Sequence, residues 1–102
     1  MRLQLEGKQV NITPALKKLS EARLAKIERR LNSSLVSTHL VLSRERTRFI
    51  VELTVHVRGD HTLHSVGSTA GWGTSLTAAV KKVMQQAETV KGKWEARRIS
   101  GR

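Results

Sequence analysis

The sequence predicts an α+β domain with the element order β-α-β-β-β-α, in which two helices cover one face of a four-stranded sheet. Apolar and polar residues alternate from Arg48 to Arg58, which indicates a strand with one dry face and one wet face. The segments before and after the strand region carry apolar residues at helical spacings of three and four, so each predicts a helix that buries one stripe. A chain of 102 residues accommodates one such two-layer domain.

The first strand and the first helix are marked by local signals. Arg2 to Glu6 alternates and predicts a short strand that ends near Gly7-Lys8. Thr13 is a natural N-cap, and Pro14 suits the first helical position because its missing N–H has no helical partner there. The helix is expected to run to about Leu31, where Asn32-Ser33-Ser34 breaks the pattern. Its apolar stripe consists of Leu16, Leu19, Leu24, Ile27 and Leu31.

Three further strands follow as a meander. The second strand is predicted from the shared parity of Val36, Thr38, Leu40 and Leu42. The charged segment 44–47 then forms a hairpin or a slightly longer loop, and Gly59-Asp60 suits a tight turn after the central strand. The buried parity of that central strand comprises Phe49, Val51, Leu53, Val55 and Val57. Residues 62–68 are the fourth strand, and the first two strands lie parallel through a right-handed crossover.

The second helix is predicted to follow a flexible connection at residues 70–73, with Thr74 or Ser75 as its N-cap. Its apolar stripe consists of Leu76, Val80, Val83, Ala87, Val90 and Trp94. Gly92 costs about 1 kcal/mol relative to alanine, so the helix is expected to kink or end near it. The domain is therefore assigned to residues 1–98, with a frayed tail at 99–102.

Charge is the strongest functional signal in the chain. Nineteen Lys and Arg face eight Asp and Glu, which gives a formal net charge of +11. An excess of this size, spread through a folded body, indicates an anionic partner, with nucleic acid first and an acidic membrane surface second. The membrane alternative is weaker because the basic faces lack adjacent bulky apolar residues to insert. The absence of cysteine excludes disulfides and thiolate metal sites. The first residues lack the apolar core of a secretory signal peptide, so the protein is expected to be cytoplasmic.

Two segments carry a resemblance to a known family. Residues 3–16 read Leu-Gln-Leu-Glu-Gly-Lys-Gln-Val-Asn-Ile-Thr-Pro-Ala-Leu, and residues 24–29 read Leu-Ala-Lys-Ile-Glu-Arg. The first resembles the opening of the ribosome hibernation factors, also called ribosome-associated inhibitor or sigma-54 modulation proteins, and the second is similar to their Lys-Leu-x-Lys-Leu-Glu-Arg segment. The resemblance runs from residue 1 to about residue 97. Residues 71–77 depart from it, since the two Asp and the Tyr that commonly open the family's second helix are absent.

The resemblance implies a ribosome-binding inhibitor of translation. Such proteins occupy the channel for messenger and transfer RNA on the small ribosomal subunit, contact mainly its ribosomal RNA, and hold idle ribosomes dormant. It also implies a fold similar to the double-stranded-RNA-binding domain, and a short form without the C-terminal dimerising domain of the long members. The expected partners are the small subunit and its RNA. No membrane, small-molecule substrate or cofactor is expected, and the protein is expected to be a monomer away from the ribosome. Two alternatives stay open: a general RNA-binding or structural ribosomal protein, and a regulatory module that binds a protein.

The basic flanks of the two helices are the predicted RNA-binding site. Phosphate contacts of this kind position a protein without reading sequence. A solvated helix face is the competing interpretation for any single residue, whereas the net charge favours RNA binding for the cluster. The predicted contact residues are Arg23, Lys26, Arg29, Arg30, Lys81, Lys82, Lys91, Lys93 and Arg97.

Other chemistry has less support. Phe49 and Trp94 lie on apolar stripes and are predicted to be core, whereas Trp72 either stacks on a base or caps the core edge. The shortage of aromatic residues favours recognition of folded RNA by shape and charge over a base-stacking reader of single strands. The four histidines, His39, His56, His61 and His64, lack the spacing of a zinc site and are interpreted as part of a polar sheet face that meets RNA. No catalytic motif is recognisable, so the protein is not expected to be an enzyme.

Overall fold

The predicted element order is confirmed by the structure, a computed structural model. It describes the backbone of residues 2–59 and 61–100 and the side chains of residues 2–59 and 61–89. The elements are β1 (Arg2–Lys8), α1 (Pro14–Leu31), a short 3₁₀ turn (Asn32–Ser34), β2 (Leu35–Glu45), β3 (Arg48–Val57), β4 (His61–Thr69) and α2 (Trp72–Ser100).

The four strands form one sheet in the order β1-β2-β3-β4. β1 lies parallel to β2 across the α1 crossover, and β2, β3 and β4 are antiparallel neighbours. On the inner face, Leu40 of β2 stands opposite Leu53 of β3, and both are fully buried together with Leu24 of α1 and Val83 of α2. Both helices therefore pack on the same face of the sheet, and the two-layer α+β class is confirmed.

Local sequence signals explain where α1 begins and ends. The Thr13 hydroxyl accepts a hydrogen bond from the Leu16 amide at 3.1 Å, so the predicted N-cap is confirmed. At the other end Asn32 has a φ of 48°, a left-handed conformation that asparagine tolerates, and its amide bonds the carbonyl of Glu28. The helix thus ends where its pattern does, and Leu16, Leu24 and Ile27 are buried as predicted.

The start of β2 departs from the predicted alternation. Leu35 pairs with Val57 and Ser37 pairs with His56, so Val36 is an extra residue on β2, a β-bulge. Val36 is 51% exposed instead of buried, and Leu35 packs against the core in its place. The prediction that Val36 shares the buried face is wrong because the bulge shifts the alternation by one residue.

The connection into α2 is shorter than predicted. α2 begins at Trp72, so Thr74 and Ser75 lie in its first turns and neither is the N-cap. Ser75 is fully buried, and its hydroxyl donates to the Phe49 carbonyl at 2.5 Å and accepts from the Thr69 amide at 3.0 Å. Ser75, one of the two predicted N-caps, instead joins α2 to the sheet through these hydrogen bonds. The helix also continues past Gly92 to Ser100.

α2 lies directly on β4, and small residues permit that approach. The inner face of β4 carries Ser65 and Gly67, both buried. A Cβ on Gly67 would stand 2.1 Å from the backbone oxygen of Ser75, so only glycine fits there. The buried Ser65 hydroxyl donates to the Ala79 carbonyl at 2.7 Å. These contacts fix α2 over the β3–β4 half of the sheet and leave the other half to α1.

Candidate nucleic-acid interface

α1 and α2 pack side by side and leave a groove of about 370 Å³ between them on the outer surface, the interhelical groove. Its floor is apolar, formed by Ala22, Val80 and Met84, and its remaining lining is basic apart from Thr77. The complete lining is Ala22, Arg23, Lys26, Arg29, Thr77, Val80, Lys81 and Met84. The groove exists because the two apolar stripes turn toward the sheet, which leaves the basic flanks facing each other.

Arg23 is held across the groove by α2. Its Nε donates to the Thr77 hydroxyl at 3.1 Å, and that hydroxyl donates in turn to the Gly73 carbonyl at 2.9 Å. The Nη groups of Arg23 make no further hydrogen bond in the described part of the protein. An arginine fixed in this way presents its remaining donors with less entropy to lose on binding a phosphate.

The four groove cations have no acidic partner in the part of the chain that the structure describes. Among the described residues, Arg23, Lys26, Arg29 and Lys81 contact no carboxylate. Arg30, just outside the groove, forms an ion pair with Glu88 at 2.9 Å. The groove is therefore a concentrated positive field, with the next cation along α1 already neutralised.

The predicted contact residues fall into separate places. Arg23, Lys26, Arg29 and Lys81 line the groove together, as expected for helices packed side by side. Lys82 does not join them, because its ammonium donates to the Val66 carbonyl on the outer edge of β4 at 2.7 Å. The side chains of Lys91, Lys93 and Arg97 lie outside the described residues. RNA contact by any of these residues stays a prediction.

Sequence reasoning missed the uncharged part of the groove and one contact on the far side of α2. Thr77, Lys81 and Met84 are spaced by four and three, so a helical wheel signals that they share a face, but it does not show that this face meets α1. The Gln86 side chain bonds the outer edge of β4, where it accepts from the His64 amide at 3.1 Å and donates to the His64 carbonyl at 2.7 Å.

The open face of the sheet differs from the helical face in charge. By alternation and register, the paired strand residues of this face include three cations and three carboxylates, listed as Arg2, Lys8, Arg48, Glu6, Glu45 and Glu52, and Arg58, directly after β3, shares their parity. Three histidines lie among them, each with its own partner. His39 contacts Glu6 at 3.2 Å, His64 contacts Glu52 at 3.1 Å, and His56 contacts Thr62 at 3.3 Å. In the described part of the chain no three metal-ligating side chains converge.

The two aromatic residues whose side chains the structure describes, Phe49 and Trp72, lie at the edge of the core. Trp72 and Phe49 meet edge to face, with centroids 4.9 Å apart and rings inclined by 72°. Trp72 is half-buried against the core, so of its two predicted roles the structure supports capping the core edge. Phe49 is half-buried as well, with the guanidinium of Arg44 5.0 Å from its ring centroid. The Trp94 side chain lies outside the described residues.

Solved structures share this architecture. A ribosomal subunit interface protein from Coxiella burnetii superposes with a TM-score of 0.79 at 22% identity, over 90% of this chain and 99% of that one. The N-terminal domain of Protein Y from Thermus thermophilus also superposes with a TM-score of 0.79, at 23% identity, over 88% of this chain and 99% of that one. The fold and the groove together define a small α+β domain whose helical face carries cations without acidic partners among the described residues.

The family is shown by sequence. The pattern described as Sigma 54 modulation protein / S30EA ribosomal protein matches residues 3–95. The ribosome-associated factor Y of Haemophilus influenzae is 30% identical over 102 residues, covering all of this chain and 94% of that protein. The chain belongs to the Sigma 54 modulation protein / S30EA ribosomal protein family.

Family membership confirms three predictions. The family is one of ribosome-associated factors, which supports ribosome binding and hibernation in general. Its members are not enzymes, and they are cytoplasmic and ribosome-bound. In the described residues no helix combines the length and the apolar character that crossing a bilayer requires.

Proposed function

We propose that this protein binds the small ribosomal subunit in the channel used by messenger and transfer RNA, stops translation there and holds the ribosome dormant. Residues 1–98 form the ribosome-binding domain, which is a monomer away from the ribosome. The mechanism is steric and electrostatic, without turnover. The observation that carries the proposal is the interhelical groove, in which four cations with no acidic partner among the described residues line one surface of a domain of the ribosome-associated family.

The difference in charge between the helical face and the open sheet face supports one orientation of the domain on ribosomal RNA. Among the described residues, the helical face concentrates cations without acidic partners, whereas the open sheet face mixes cations with carboxylates. Ribosomal RNA presents closely spaced phosphates, so the helical face is the one that turns toward it. The proposed RNA-binding residues are those of the basic flanks, namely Arg23, Lys26, Arg29, Arg30, Lys81, Lys82, Lys91, Lys93 and Arg97. Arg23, Lys26, Arg29 and Lys81 are the first set to test.

The test is co-sedimentation with purified small subunits at low and at physiological salt, with and without bound transfer RNA. The protein is expected to pellet with subunits at physiological salt and to be displaced by transfer RNA. Pelleting that transfer RNA does not reduce rejects the channel position and favours a general RNA-binding or structural ribosomal protein. A protein that remains in the supernatant at physiological salt rejects the proposal as a whole.

Charge variants test the face. Replacing Lys26 and Lys81 together by Gln removes two phosphate contacts, so the slope of log affinity against log salt is expected to become shallower by about two. Lys17→Gln, compared with Lys26→Gln alone, is the matched control, because Lys17 is exposed and nine residues, half a turn of the helical wheel, from Lys26. Equal slopes for the double variant and the wild type would show that RNA binds elsewhere on the domain.

A further inference from the structure

The interhelical groove has a floor that phosphate binding does not require. Val80 is buried, Met84 is half-buried and Ala22 is exposed, and together they make a part of the groove lining that is hydrocarbon and thioether. Phosphates bind cations at a surface, and they gain nothing from an apolar cavity beneath them. The occupant that suits the whole groove therefore combines an apolar face with nearby negative charge.

We propose that the interhelical groove seats one unpaired base of folded ribosomal RNA, with the phosphates on either side of that base bound by the cations of the rim. The inference rests on the proposed function and adds a site within it. A groove of about 370 Å³ is within the range of small-molecule sites, roughly 300–1,000 Å³, and a base is a small planar group. A bulged or looped base is also the part of folded RNA that proteins can reach individually.

The lining supplies contacts for a base without any aromatic residue. The thioether of Met84 is a polarizable partner for a ring face, and a guanidinium plane such as that of Arg23 stacks on bases. Arg23 is suited to this role because the Thr77 hydroxyl fixes its Nε and leaves the Nη groups for a base edge or a phosphate. A reader of this kind takes a single base and does not require the row of exposed aromatics typical of proteins that track single strands.

The hydrogen-bonding groups in the groove favour particular bases. The polar side chains of the lining are mostly donors, from arginine and lysine, and the Thr77 hydroxyl is the one oxygen acceptor among them. That hydroxyl already accepts from Arg23 and donates to the Gly73 carbonyl. A base edge rich in acceptors is therefore preferred: guanine, through O6 and N7, or uracil, through its carbonyl oxygens. On the corresponding edge adenine carries an N6 amino donor beside N7, and cytosine carries an N4 amino donor, so these donors would face cations.

A groove-filling variant separates this proposal from simple charge attraction. Ala22→Leu adds hydrocarbon to the floor and changes no charge. Alanine and leucine are both strong helix formers, so helix content and the urea midpoint are expected to stay unchanged. Ala15→Leu, the same substitution at an exposed position of α1 that does not line the groove, is the matched control. Loss of a seated base is expected to weaken binding to purified small subunits by about 5- to 30-fold, without altering the salt slope.

Chemical probing of the ribosomal RNA identifies the seated base. Wild-type protein is expected to protect one unpaired guanine or uracil from base-specific reagents, and Ala22→Leu is expected to abolish that protection while the backbone protections remain. Equal affinities and equal base protections for wild type and Ala22→Leu overturn the base site and leave the proposed function standing. If the wild-type protein protects only the RNA backbone and no base, the base site is likewise overturned and the proposed function stands. Failure of the wild type to bind subunits removes both proposals.

Discussion

Replacing Gly67 by alanine tests the close approach of α2 to β4. The added Cβ would stand 2.1 Å from the Ser75 oxygen and 3.1 Å from the Ala79 nitrogen, both backbone atoms of α2. Backbone cannot move aside as a flexible side chain does. Restoring the 3.4 Å of an ordinary contact requires α2 to withdraw by about 1.3 Å, the difference between 3.4 and 2.1 Å.

The energetic cost follows from that withdrawal. Two short hydrogen bonds tie α2 to the sheet here, from Ser65 Oγ to the Ala79 carbonyl at 2.7 Å and from Ser75 Oγ to the Phe49 carbonyl at 2.5 Å. Neither survives such a shift, and overpacking alone costs about 1–3 kcal/mol. A small gain from the reduced freedom of the unfolded chain, about 0.4–1 kcal/mol, offsets part of this. Each buried polar group that loses its hydrogen bond costs about 1–3 kcal/mol in addition. We therefore expect Gly67→Ala to lower the free energy of unfolding by about 2–4 kcal/mol.

Urea denaturation followed by circular dichroism measures the effect. With m near 1–2 kcal/mol/M for a domain of this size, the midpoint is expected to fall by about 2 M. Gly71→Ala is the control, because a Cβ there meets only the Thr74 hydroxyl at 3.7 Å, and its midpoint is expected to match the wild type or rise slightly. If the two variants have the same midpoint, α2 does not contact β4 as described and the reasoning is refuted.

Three further predictions concern stability. Ser75→Ala removes a fully buried hydroxyl that joins a β3 carbonyl to a β4 amide, and is expected to cost about 1–3 kcal/mol in urea denaturation; an unchanged midpoint would contradict its fastening role. Leu24→Ala empties a fully buried position and is expected to lower the free energy of unfolding by about 2–5 kcal/mol, measured in the same way, whereas a loss below about 1 kcal/mol would argue against a core position. Arg30→Ala breaks an ion pair with Glu88 in which both side chains are largely exposed, so its loss of stability is expected to stay under about 0.5 kcal/mol, and a larger loss would mean that the pair is more shielded from solvent than described.

Much of the fold could be predicted because its signals are local. Thr13 and Pro14 mark the start of α1 within two residues, and alternation along β3 identifies Val51, Leu53 and Val55 as buried. These features depend on the chain's own geometry, either the caps of a helix or the two faces of a strand. They need no knowledge of which element packs against which.

The errors arise where pairing or packing decides. The Val36 bulge exists only in relation to the residues of β3, so alternation within β2 does not reveal it. Ser75 has a hydroxyl side chain typical of an N-cap, but this hydroxyl instead donates a hydrogen bond to the carbonyl of Phe49, twenty-six positions earlier in the chain. Lys82 lies on a basic flank of the helical wheel, but the wheel does not show that β4 is the neighbour on that side. Composition and periodicity therefore indicate a cationic helical face, and the tertiary arrangement decides which cations share it.

The contacts between α2 and β4 also affect how the protein behaves at high concentration. β4 is an outer strand, and such strands are templates for pairing with other chains. Here the Gln86 side chain hydrogen-bonds both the amide and the carbonyl of His64. Lys82 donates to the carbonyl of Val66, and Arg48 donates to the carbonyl of Ser68 at 3.0 Å. An incoming strand would have to displace all three side chains and meet two positive charges. Gln86 and Lys82 of α2, with Arg48 of β3, thus cover the outer edge of β4 against addition of a strand from another molecule.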